Sequence, residues 1–424
     1  MKMMRYLLYN LILVIATPAG VLYLLCASKY RALLRRFRPL TSAYESRPLW
    51  IHACSVGEVG VASGLVRRIR ERFPDLPVML SVSTLSGLDI ARAGLSGITV
   101  TLAPFDLLWS VRGFIRRAKP RMLAIIETEL WPNMIREAKR CGMPVVVING
   151  RISPRRFPVY KRYKRVMPPA LSLLDCVAAQ DDTCARRFKE LDVPEGAIEV
   201  TGNMKYDAVT TEFAADVLEM MRRENGFSRH DVNVIFGSTR PGDEELAAAC
   251  WRALKEEFPN LRFIIAPRHL QRIEEAKAPF QEEVVQCRSV AKAGNLNWRA
   301  RVFVVDTIGE LTRFYALSSV AVIGGSFFPG VEGHNPLEPA ALGVPTVFGR
   351  FMGNFPEAAA LLTEAEGAVQ IERAEELPGC LRQLLKEPMA RERIALKGRK
   401  AVLNKRGAVE RNVALLTKYM ERGE

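Results

Sequence analysis

AVIGGSFFPGVEGHNPLEPAALGVP, residues 321–345, is the stretch of sequence that decides the fold. The apolar run before Gly324 suits a buried strand, and Gly324 and Gly325 let the backbone approach a ligand with no Cβ in the way. Asn335 is a favoured N-cap and Pro336 a favoured first helical residue, so we expect a helix to begin there. The stretch therefore predicts a strand, a glycine loop and a helix in succession.

The amino terminus of that expected helix is a candidate anion site. Its free backbone amides and the positive end of its dipole would face the glycine loop, which includes Gly325, Ser326 and His334. Glu338, in the first turn, could accept hydrogen bonds from both hydroxyls of a ribose. These features predict half of a nucleotide-sugar site. The alternative is an ordinary strand-loop-helix unit in which Glu338 only compensates the helix dipole.

Further polar segments of the second half also follow expected strands. Ligands of open α/β sheets bind beyond the carboxyl ends of the strands, so this shared position indicates one site. The segments are Gly237-Ser238-Thr239-Arg240, Pro267-Arg268-His269 and Thr307-Ile308-Gly309-Glu310. Some of these residues could have a purely structural role instead of binding a ligand. Thr307 to Glu310 has the spacing of a capping box, and Ser238 and Thr239 are favoured N-caps.

Arg268 is the most informative residue of these segments. An arginine directly after a buried strand is costly unless an anion pairs with it. We therefore expect Arg268 to bind a donor phosphate or carboxylate, and we expect His269 to orient a neighbouring side chain.

Strand-like apolar runs alternate with amphipathic helical stretches along the whole chain, which predicts an α/β protein with parallel sheets. At 424 residues the chain is too long for one core, so we expect two Rossmann-like, doubly wound domains facing a cleft. The expected segments are 1–35 for an anchor with its basic flank, 36–210 and 211–405 for the two domains, and 406–424 for a helix that crosses back to the first domain. The expected strands are 49–51, 78–81, 98–102, 122–126, 145–148 and 176–179 in the first domain, and 232–236, 263–266, 302–305, 320–323, 346–348 and 368–371 in the second.

In the first half, Ser55-Val56-Gly57-Glu58 places a small-residue turn and a carboxylate after an expected strand. The spacing is also that of a capping box, in which Glu58 would have only a structural role. A helix amino terminus lowers the pKa of a carboxyl group and weakens it as a base. A general base at Glu58 would need partial burial or a polarised acceptor hydroxyl to compensate.

A second carboxylate motif, residues 127–133, follows the expected strand 122–126. Pro132 suits a first helical turn, which leaves Glu127 and Glu129 at the end of the strand. We expect one of the two to face substrate and the other to face solvent or a basic partner. Lys205, near the expected domain boundary, could stabilise a leaving phosphate or be an ordinary surface lysine.

The net charge of +15 predicts an acidic partner, which could be nucleic acid, anionic lipid or a phosphorylated substrate. Two basic-aromatic runs, 116–121 and 155–165, carry no recognised nucleic-acid-binding motif and favour an anionic membrane surface. The eight cysteines contain no C-x-x-C pair, and only four histidines are present, which argues against a zinc site or a disulfide framework.

The amino terminus is a candidate membrane anchor. From Tyr6 to Ala27 the chain carries no charged side chain, and the segment approaches the ~20 apolar residues that span a bilayer. Basic residues are denser after this segment than before it, so the positive-inside rule predicts that the rest of the protein stays on the cytoplasmic face. A cleaved signal peptide is the alternative, but the flanking charges have the wrong order for export.

In combination these motifs resemble the bacterial Kdo transferases, the 3-deoxy-D-manno-octulosonic acid transferases of lipopolysaccharide synthesis. The resemblance covers nearly the whole chain. It is carried by Ser55-Val56-Gly57-Glu58, residues 127–133, Pro267-Arg268-His269, residues 306–311, and residues 333–338 with Asn354-Phe355 downstream.

The resemblance implies an inverting GT-B glycosyltransferase at the inner membrane, with the first domain binding the acceptor and the second binding CMP-Kdo. The acceptor would be a lipid A precursor, lipid IVA, and CMP-Kdo would be a co-substrate, with no cofactor and no metal. By resemblance Glu58 is the proton acceptor, and Glu127 and Lys205 stabilise the transition state. The donor contacts implied in the same way are Pro267, Arg268, Ile308, Gly309, Glu310, Asn335, Pro336, Leu337 and Glu338.

The sequence departs from the family pattern at several positions. Glu332 replaces the first of two glycines before His334, and Leu270 and Arg350 replace prolines. We expect Glu332 to turn away from an anionic donor. Two alternatives remain at this point: a membrane-anchored GT-B transferase that uses a UDP-sugar, and a non-catalytic protein that binds anionic lipid. The number of Kdo units transferred does not follow from these residues.

Overall fold

The computed structural model describes residues 2–38, 44 and 46–421, and it divides into two compact units. The first unit holds the chain up to Ala208 together with the segment from Arg406 onwards, and the second holds Val209–Lys405. Within the described residues each unit contains one seven-stranded sheet. Every strand pairing in the two sheets is parallel, as expected for α/β layers.

The sheet of the first unit has the strand order β3-β2-β1-β4-β5-β6-β7. In its register Leu49 lies opposite Val78 on one side and Met122 on the other. The strands are β1 (Leu49–Ala53), β2 (Val78–Val82), β3 (Thr99–Leu102), β4 (Met122–Ile126), β5 (Val145–Gly150), β6 (Cys176–Ala179) and β7 (Ile198–Val200).

The sheet of the second unit has the order β10-β11-β9-β8-β12-β13-β14. The strands are β8 (Val232–Thr239), β9 (Leu261–Pro267), β10 (Val285–Cys287), β11 (Val302–Val304), β12 (Val320–Ile323), β13 (Thr346–Gly349) and β14 (Ala368–Ile371). All twelve expected strands are present. The sequence analysis missed β7 and β10, which are three-residue strands at the sheet edges and carry no long apolar run.

Helices connect the strands and cover the sheets. Those of the first unit are α1 (Lys2–Cys26), α2 (Val56–Arg72), α3 (Leu85–Gly94), α4 (Leu108–Ala118), α5 (Pro132–Arg140), α6 (Phe157–Tyr163), α7 (Asp182–Glu190) and α17 (Ala408–Glu421). Those of the second unit are α8 (Ala215–Asn225), α9 (Asp243–Leu254), α10 (Ile273–Lys277), α11 (Arg288–Lys292), α12 (Leu311–Ala316), α13 (Leu337–Ala341), α14 (Pro356–Glu364), α15 (Leu377–Lys386) and α16 (Pro388–Asn404).

Helix α17 is part of the first unit although it ends the described chain. Val413 and Leu416 are buried in the same core cluster as Leu65 of α2. Asn412 is fully buried, and its Nδ2 donates to Thr201 Oγ1 at 3.1 Å. The contacts of this helix therefore join the carboxyl terminus to the first sheet. The last three positions of the expected segment 406–424 lie outside the described residues.

Helix α1 is long and apolar enough to cross a membrane by length and composition. Most of its side chains are exposed, but one face of its first turns contacts the first unit. Tyr9 Oη donates to Asp106 Oδ2 at 2.8 Å, and Asn133 Nδ2 donates to Asn10 Oδ1 at 2.8 Å. The ring of Tyr6, which is 5% exposed, lies 4.5 Å from the guanidinium carbon of Arg136. Polar contacts thus fasten the start of the helix to the domain.

Candidate active site

The strand orders place one topological switch point in each sheet. In the first sheet β1 and β4 are neighbours, and the strands that follow each of them in the chain lie towards opposite edges of the sheet. In the second sheet β8 and β12 have the same relationship. Ligands of doubly wound sheets bind at the carboxyl ends of such strand pairs. Glu58 and Glu127 follow β1 and β4, and Ser238 and Gly325 lie at or just after the ends of β8 and β12. The sequence motifs therefore flank the switch point of each unit.

Strained backbone marks the same strand ends. Glu127, Asn149 and Ser238 have φ values of 58°, 56° and 58°. Non-glycine residues rarely adopt the left-handed region, and when they do they cluster at functional sites. Each of the three lies at the end of a central strand, which supports the assignment of the sites to these ends.

Glu58 lies in the first turn of α2, where Ser55 is the N-cap. Glu58 N donates to Ser55 Oγ at 3.4 Å, and Ser55 Oγ donates to Glu58 Oε1 at 3.2 Å. Cys54 N donates to Glu58 Oε2 at 2.7 Å, so the carboxylate also closes the turn that precedes the helix. Gly57 leaves this turn open, because the nearest atom to a Cβ built there is Ser55 Oγ at 3.9 Å. The capping-box geometry and an accessible carboxylate therefore coexist.

Burial, rather than the helix terminus, dominates the acidity of Glu58. Desolvation raises the pKa of Glu58 to about 7, and the hydrogen bond from Cys54 N only partly offsets it. The negative charges of Glu129 and Glu127 raise it further. The partial burial that a general base at this helix terminus requires is therefore present, because burial and the neighbouring carboxylates outweigh the amide of Cys54. A carboxyl group that titrates near neutral pH is well matched to general base catalysis.

Glu127 and Glu129 point to different partners. Glu127 Oε1 lies 3.1 Å from Lys205 Nζ, and the Glu127 side chain is only 18% exposed. Glu129 Oε2 accepts a hydrogen bond from Trp131 Nε1 at 3.0 Å. The basic partner of the pair is therefore Lys205, which binds Glu127.

Asn149 places Lys205 beside Glu127. It is fully buried at the end of β5, and its Oδ1 accepts from Met204 N at 2.9 Å. Asn203 Oδ1 accepts from Lys205 N at 3.0 Å and caps the short 3-10 turn that carries the lysine. Sequence reasoning gave Asn149 no role in the site, because nothing local in the sequence indicates its contact with residue 204.

Arg36 is a second cation near these carboxylates, and the sequence analysis counted it only among the basic residues that follow the expected anchor. Its Nε donates to Ala103 O at 3.0 Å, and its guanidinium carbon lies 4.4 Å from the centre of the Phe105 ring. Desolvation lowers the pKa of Arg36, and the nearby Cys54 and Glu129 oppose this shift. Arg36 thus contributes positive charge next to the carboxylate cluster.

In the second unit the glycines of the loop serve internal packing. A Cβ built on Gly324 would lie 2.5 Å from Ser238 O, and one built on Gly325, whose φ is 69°, would lie 2.5 Å from Val331 Cγ1. The space that these glycines leave is filled by the protein itself. The expectation that both glycines open the backbone to a ligand is therefore wrong in its reason, because the close approach of Ser238 requires Gly324 and the packing of Val331 within the loop requires Gly325.

Asp243 is a buried carboxyl group to which the sequence analysis gave no role. Its Oδ2 accepts from Gly325 N at 2.7 Å and from Arg240 N at 2.8 Å, which ties the loops after β12 and β8 together. Burial raises the pKa of Asp243 to about 7. The sequence signal that could have identified Asp243 is a carboxyl group in the first helical turn after a glycine loop.

The hydroxyl groups at the ends of β8 and β12 make hydrogen bonds within the protein. Thr239 is fully buried and its Oγ1 donates to Glu244 Oε1 at 2.8 Å. Ser326 is also fully buried, where its Oγ donates to Ile323 O at 2.6 Å and accepts from Gly349 N at 2.9 Å. Neither Ser238 nor Thr239 caps a helix, since α9 begins only after Gly242. The capping alternative for these two residues is therefore wrong.

The segment from Thr307 to Glu310 does not form the expected capping box. Helix α12 begins at Leu311, and Glu310 binds Arg288 instead, with 2.9 Å between Glu310 Oε1 and Arg288 Nη2. The ion pair with Arg288 holds the pKa of Glu310 below its usual range. Ile308 is 85% exposed and Gly309 has a φ of 82°. A ligand at this loop would meet the backbone of Ile308 and Gly309 rather than the Glu310 carboxylate.

Arg268 is exposed, so burial gives it no need of an anion, and its binding of a donor phosphate or carboxylate stays a prediction. Pro267 ends β9, and Arg268 N donates to Thr239 O at 3.1 Å, which turns the side chain out of the sheet. Desolvation and the charges of Arg240, Arg268 and His269 lower the pKa of His334 to about 4. His334 is therefore neutral at physiological pH beside a group of cations.

His269 contacts the same cationic group. Its Nε2 lies 2.7 Å from Arg240 Nη1. Arg240 Nε lies 3.5 Å from His334 Nε2, at the limit of a hydrogen bond. The expectation that His269 orients a neighbour agrees with this contact, and the neighbour is Arg240.

Helix α13 starts later than expected. Its first residue is Leu337, and Pro336 is its N-cap position. Asn335 still supplies the cap, because its Oδ1 accepts from Leu337 N at 3.1 Å. Asn335 Nδ2 donates to Glu338 Oε1 at 3.1 Å. Burial raises the pKa of Glu338, while Asn335 and Arg268 oppose the shift.

Glu332 adopts the left-handed conformation that glycine favours, with a φ of 66°. Its backbone O accepts from Asn354 N at 2.9 Å, which joins the loop to the Asn354-Phe355 pair. Its side chain packs over Gly353, where a Cβ would lie 2.4 Å from Glu332 Oε2. The family preference for glycine at this position has a conformational reason, and the orientation of Glu332 relative to a donor stays a prediction.

Comparison with known proteins agrees with this arrangement. A family model described as 3-deoxy-D-manno-octulosonic-acid transferase (kdotransferase) matches residues 31–208. The 3-deoxy-D-manno-octulosonic acid transferase of Haemophilus influenzae is 32% identical over 88% of this chain and 87% of its own length. The enzyme of the same name from Bordetella pertussis is 30% identical over 88% of this chain and 87% of its own.

Solved structures show the same fold at low sequence identity. UDP-GlcNAc 2-epimerase from Neisseria meningitidis has a TM-score of 0.59 and 15% identity over 88% of this chain and 100% of its own. A glycosyltransferase from Rickettsia africae has a TM-score of 0.56 and 11% identity over 89% of this chain and 99% of its own. The fold is therefore GT-B. By its similarity over most of its length to the enzymes of Haemophilus and Bordetella, the chain belongs to the 3-deoxy-D-manno-octulosonic acid transferase family.

Proposed function

We propose that this protein transfers Kdo from CMP-Kdo to a hydroxyl group of a lipid A precursor, with inversion at the anomeric carbon. The observation that carries the proposal is Glu58, a carboxyl group at the switch point of the first sheet whose pKa is raised to about 7 by burial. Its relatives in Haemophilus influenzae and Bordetella pertussis are named 3-deoxy-D-manno-octulosonic acid transferases. A glycosyltransferase that acts by single displacement needs one such base on the acceptor side.

In the proposed reaction Glu58 takes the proton of the acceptor hydroxyl as that oxygen attacks the anomeric carbon of Kdo. The bond from the anomeric carbon to the phosphate oxygen breaks, and CMP leaves with the electron pair. General base catalysis of this kind contributes ~10²–10⁴ in rate. Glu127 and Lys205, which form an ion pair beside the same strand end, would stabilise the developing charge.

The donor is assigned to the second unit, where Arg240, Arg268 and the backbone of Ile308 and Gly309 offer charge and amides to a nucleotide phosphate. Pro267, Asn335, Pro336, Leu337 and Glu338 complete the proposed donor contacts. With these cations the departing CMP needs no metal, so we infer that the reaction requires no metal or other cofactor.

The acceptor and the location follow from the amino terminus. Helix α1 is long and apolar enough to anchor the protein in a membrane, and the basic residues that follow it favour the cytoplasmic face of the inner membrane. A lipid A precursor such as lipid IVA, which carries both acyl chains and phosphates, suits an enzyme held at that surface.

Mass spectrometry of the lipid product after incubation with CMP-Kdo tests the proposal. We expect the acceptor mass to increase by one or more Kdo units, with CMP released only when acceptor is present. The Glu58→Gln variant should retain donor binding and lose transfer. Salt-sensitive lipid binding without turnover would instead indicate a non-catalytic lipid-binding protein.

The identity of the nucleotide is tested separately. Cytidine nucleotides should compete with the donor, whereas uridine nucleotides should compete much less. Stronger competition by uridine nucleotides would replace CMP-Kdo with a UDP-sugar and refute this part of the proposal.

A further inference from the structure

An apolar groove lies in the first unit between the start of α1 and helix α6. The cavity is about 240 Å³, and most of its lining surface is apolar. Leu130 and Pro132 line it from the motif that follows β4, and Val159, Tyr163 and Met167 line it from α6 and the segment after it. The groove therefore reaches the same segment that carries Glu127 and Glu129.

The groove is open, because its apolar side chains face the surface. Val159 is 54% exposed, Tyr163 49% and Met167 46%. Exposed apolar side chains concentrated in one place on a soluble domain indicate a binding surface. The neighbouring Val166, 57% exposed, extends the same surface.

Charge around the groove is positive. Arg5 of α1 lines it directly, and Arg155, Arg156, Arg162 and Arg165 are exposed in the same segment as α6. Lys164 also lines the groove but pairs with Asp192 at 2.7 Å. An apolar slot beside Arg5 and a basic segment, next to an apolar helix suited to a membrane, matches a phosphorylated lipid whose chain enters the slot and whose phosphates meet these cations.

We propose that this groove binds one acyl chain of the lipid acceptor and thereby holds the acceptor hydroxyl near the strand end that carries Glu58. The proposal rests on the proposed function for the identity of the acceptor. Leu130 connects the groove to the site around Glu58. Leu130 lines the groove, and the negative charge of the adjacent Glu129 raises the pKa of Glu58. Acyl-chain binding here would act on the affinity for the acceptor and leave the donor unaffected.

The test compares acylated and fully deacylated acceptors in detergent, with CMP-Kdo as donor. Val159→Trp fills the groove and Met167→Asp makes it polar, and both positions are exposed, so folding should tolerate the changes. We expect about a tenfold loss of kcat/KM with the acylated acceptor, equivalent to two buried methylenes, and less than about a twofold change with the deacylated acceptor. Val290→Trp, at a 46% exposed position of the second unit, is the matched control.

Equal losses with both acceptors, or no loss with either, would overturn the proposal. A loss of vesicle binding with unchanged kcat/KM in detergent would assign the groove to bulk bilayer lipid and would also overturn it.

A second readout does not depend on turnover. An acceptor with a photoreactive group at the end of an acyl chain should crosslink to the peptide that contains Val159 and Met167, and Val159→Trp should reduce that adduct. Crosslinking in the groove without any transfer would refute the proposed function and leave the groove assignment standing. Adducts elsewhere, with none in the groove, would refute the groove assignment.

Discussion

Lys205 Nζ lies 3.1 Å from Glu127 Oε1, although the two residues follow different strands of the first sheet. Buried Asn149 makes this contact by accepting a hydrogen bond from the backbone of Met204. The pair combines a largely buried carboxylate with a half-exposed lysine, whose side chain is 43% exposed. Lys205 can therefore reach a ligand while Glu127 fixes its position.

If Glu127 and Lys205 act as one unit, their substitutions will not be additive. We expect Glu127→Ala and Lys205→Ala each to lower kcat by about 10²-fold, because each leaves the other charge without its partner. The double variant should be no slower than the slower single variant. Steady-state rates of the four proteins measure this coupling. Lys418→Ala, which removes an exposed pair with Glu199, is the control. Fully additive losses would show that Glu127 and Lys205 act independently.

The rate should depend on the ionisation of Glu58. A general base acts when deprotonated, so kcat/KM should rise with pH to a plateau above the pKa of about 7 and fall about tenfold per unit below it. Glu129→Gln removes a negative charge that raises this pKa, so the midpoint should move to lower pH. The pH profiles of the two proteins provide the measurement, and a profile that is flat between pH 5 and 8 would remove Glu58 from the role of base.

Replacing Glu332 by glycine should stabilise the protein. The left-handed backbone at φ 66° costs a non-glycine residue roughly 1–2 kcal/mol of folding free energy. Glycine avoids this cost, but its greater flexibility in the unfolded chain offsets part of the gain. We expect Glu332→Gly to raise the free energy of unfolding by about 1 kcal/mol, measured by denaturant titration. Glu332→Ala retains the strain and should give no such gain.

The same position tests the orientation of Glu332 relative to the donor. If the side chain turns away from CMP-Kdo, Glu332→Gln will leave KM for the donor unchanged. A clear decrease in KM would mean that the carboxylate repels the donor in the parent protein.

Asp106 should control the docking of α1. Burial raises the pKa of Asp106 to about 6, and the carboxylate accepts hydrogen bonds from Tyr9 Oη, Asn133 N and Met134 N. A hydrogen bond to a charged group contributes about 1.5–3 kcal/mol, so Tyr9→Phe should speed amide exchange in the first turns of α1 by roughly tenfold to hundredfold.

Hydrogen exchange in detergent micelles measures this change. Tyr23→Phe, at a 61% exposed position of the same helix, should leave exchange unchanged. Equal exchange in the Tyr9 and Tyr23 variants would show that the contact with Asp106 does not hold the helix.

The sequence by itself determined the α/β class, the twelve strands other than β7 and β10, and the segments after them that carry Glu58, Glu127, Arg268 and Glu338. These features are local: runs of apolar residues set the strands, and glycine, proline and acidic residues at fixed spacing follow them. The family, too, was recognisable from such short motifs. The edge strands β7 and β10 were missed because a polar residue, Glu199 or Gln286, interrupts each short apolar run.

The tertiary structure alone decided what these residues contact and how they titrate. Gly324 is required by the backbone of Ser238, Glu310 is paired with Arg288 rather than capping a helix, and Lys205 meets Glu127 through Asn149. The pKa of Glu58 rises because desolvation and neighbouring carboxylates act together, and both depend on groups brought close only by folding. Spacing along the chain places a carboxyl group at a strand end, whereas its chemistry depends on long-range packing.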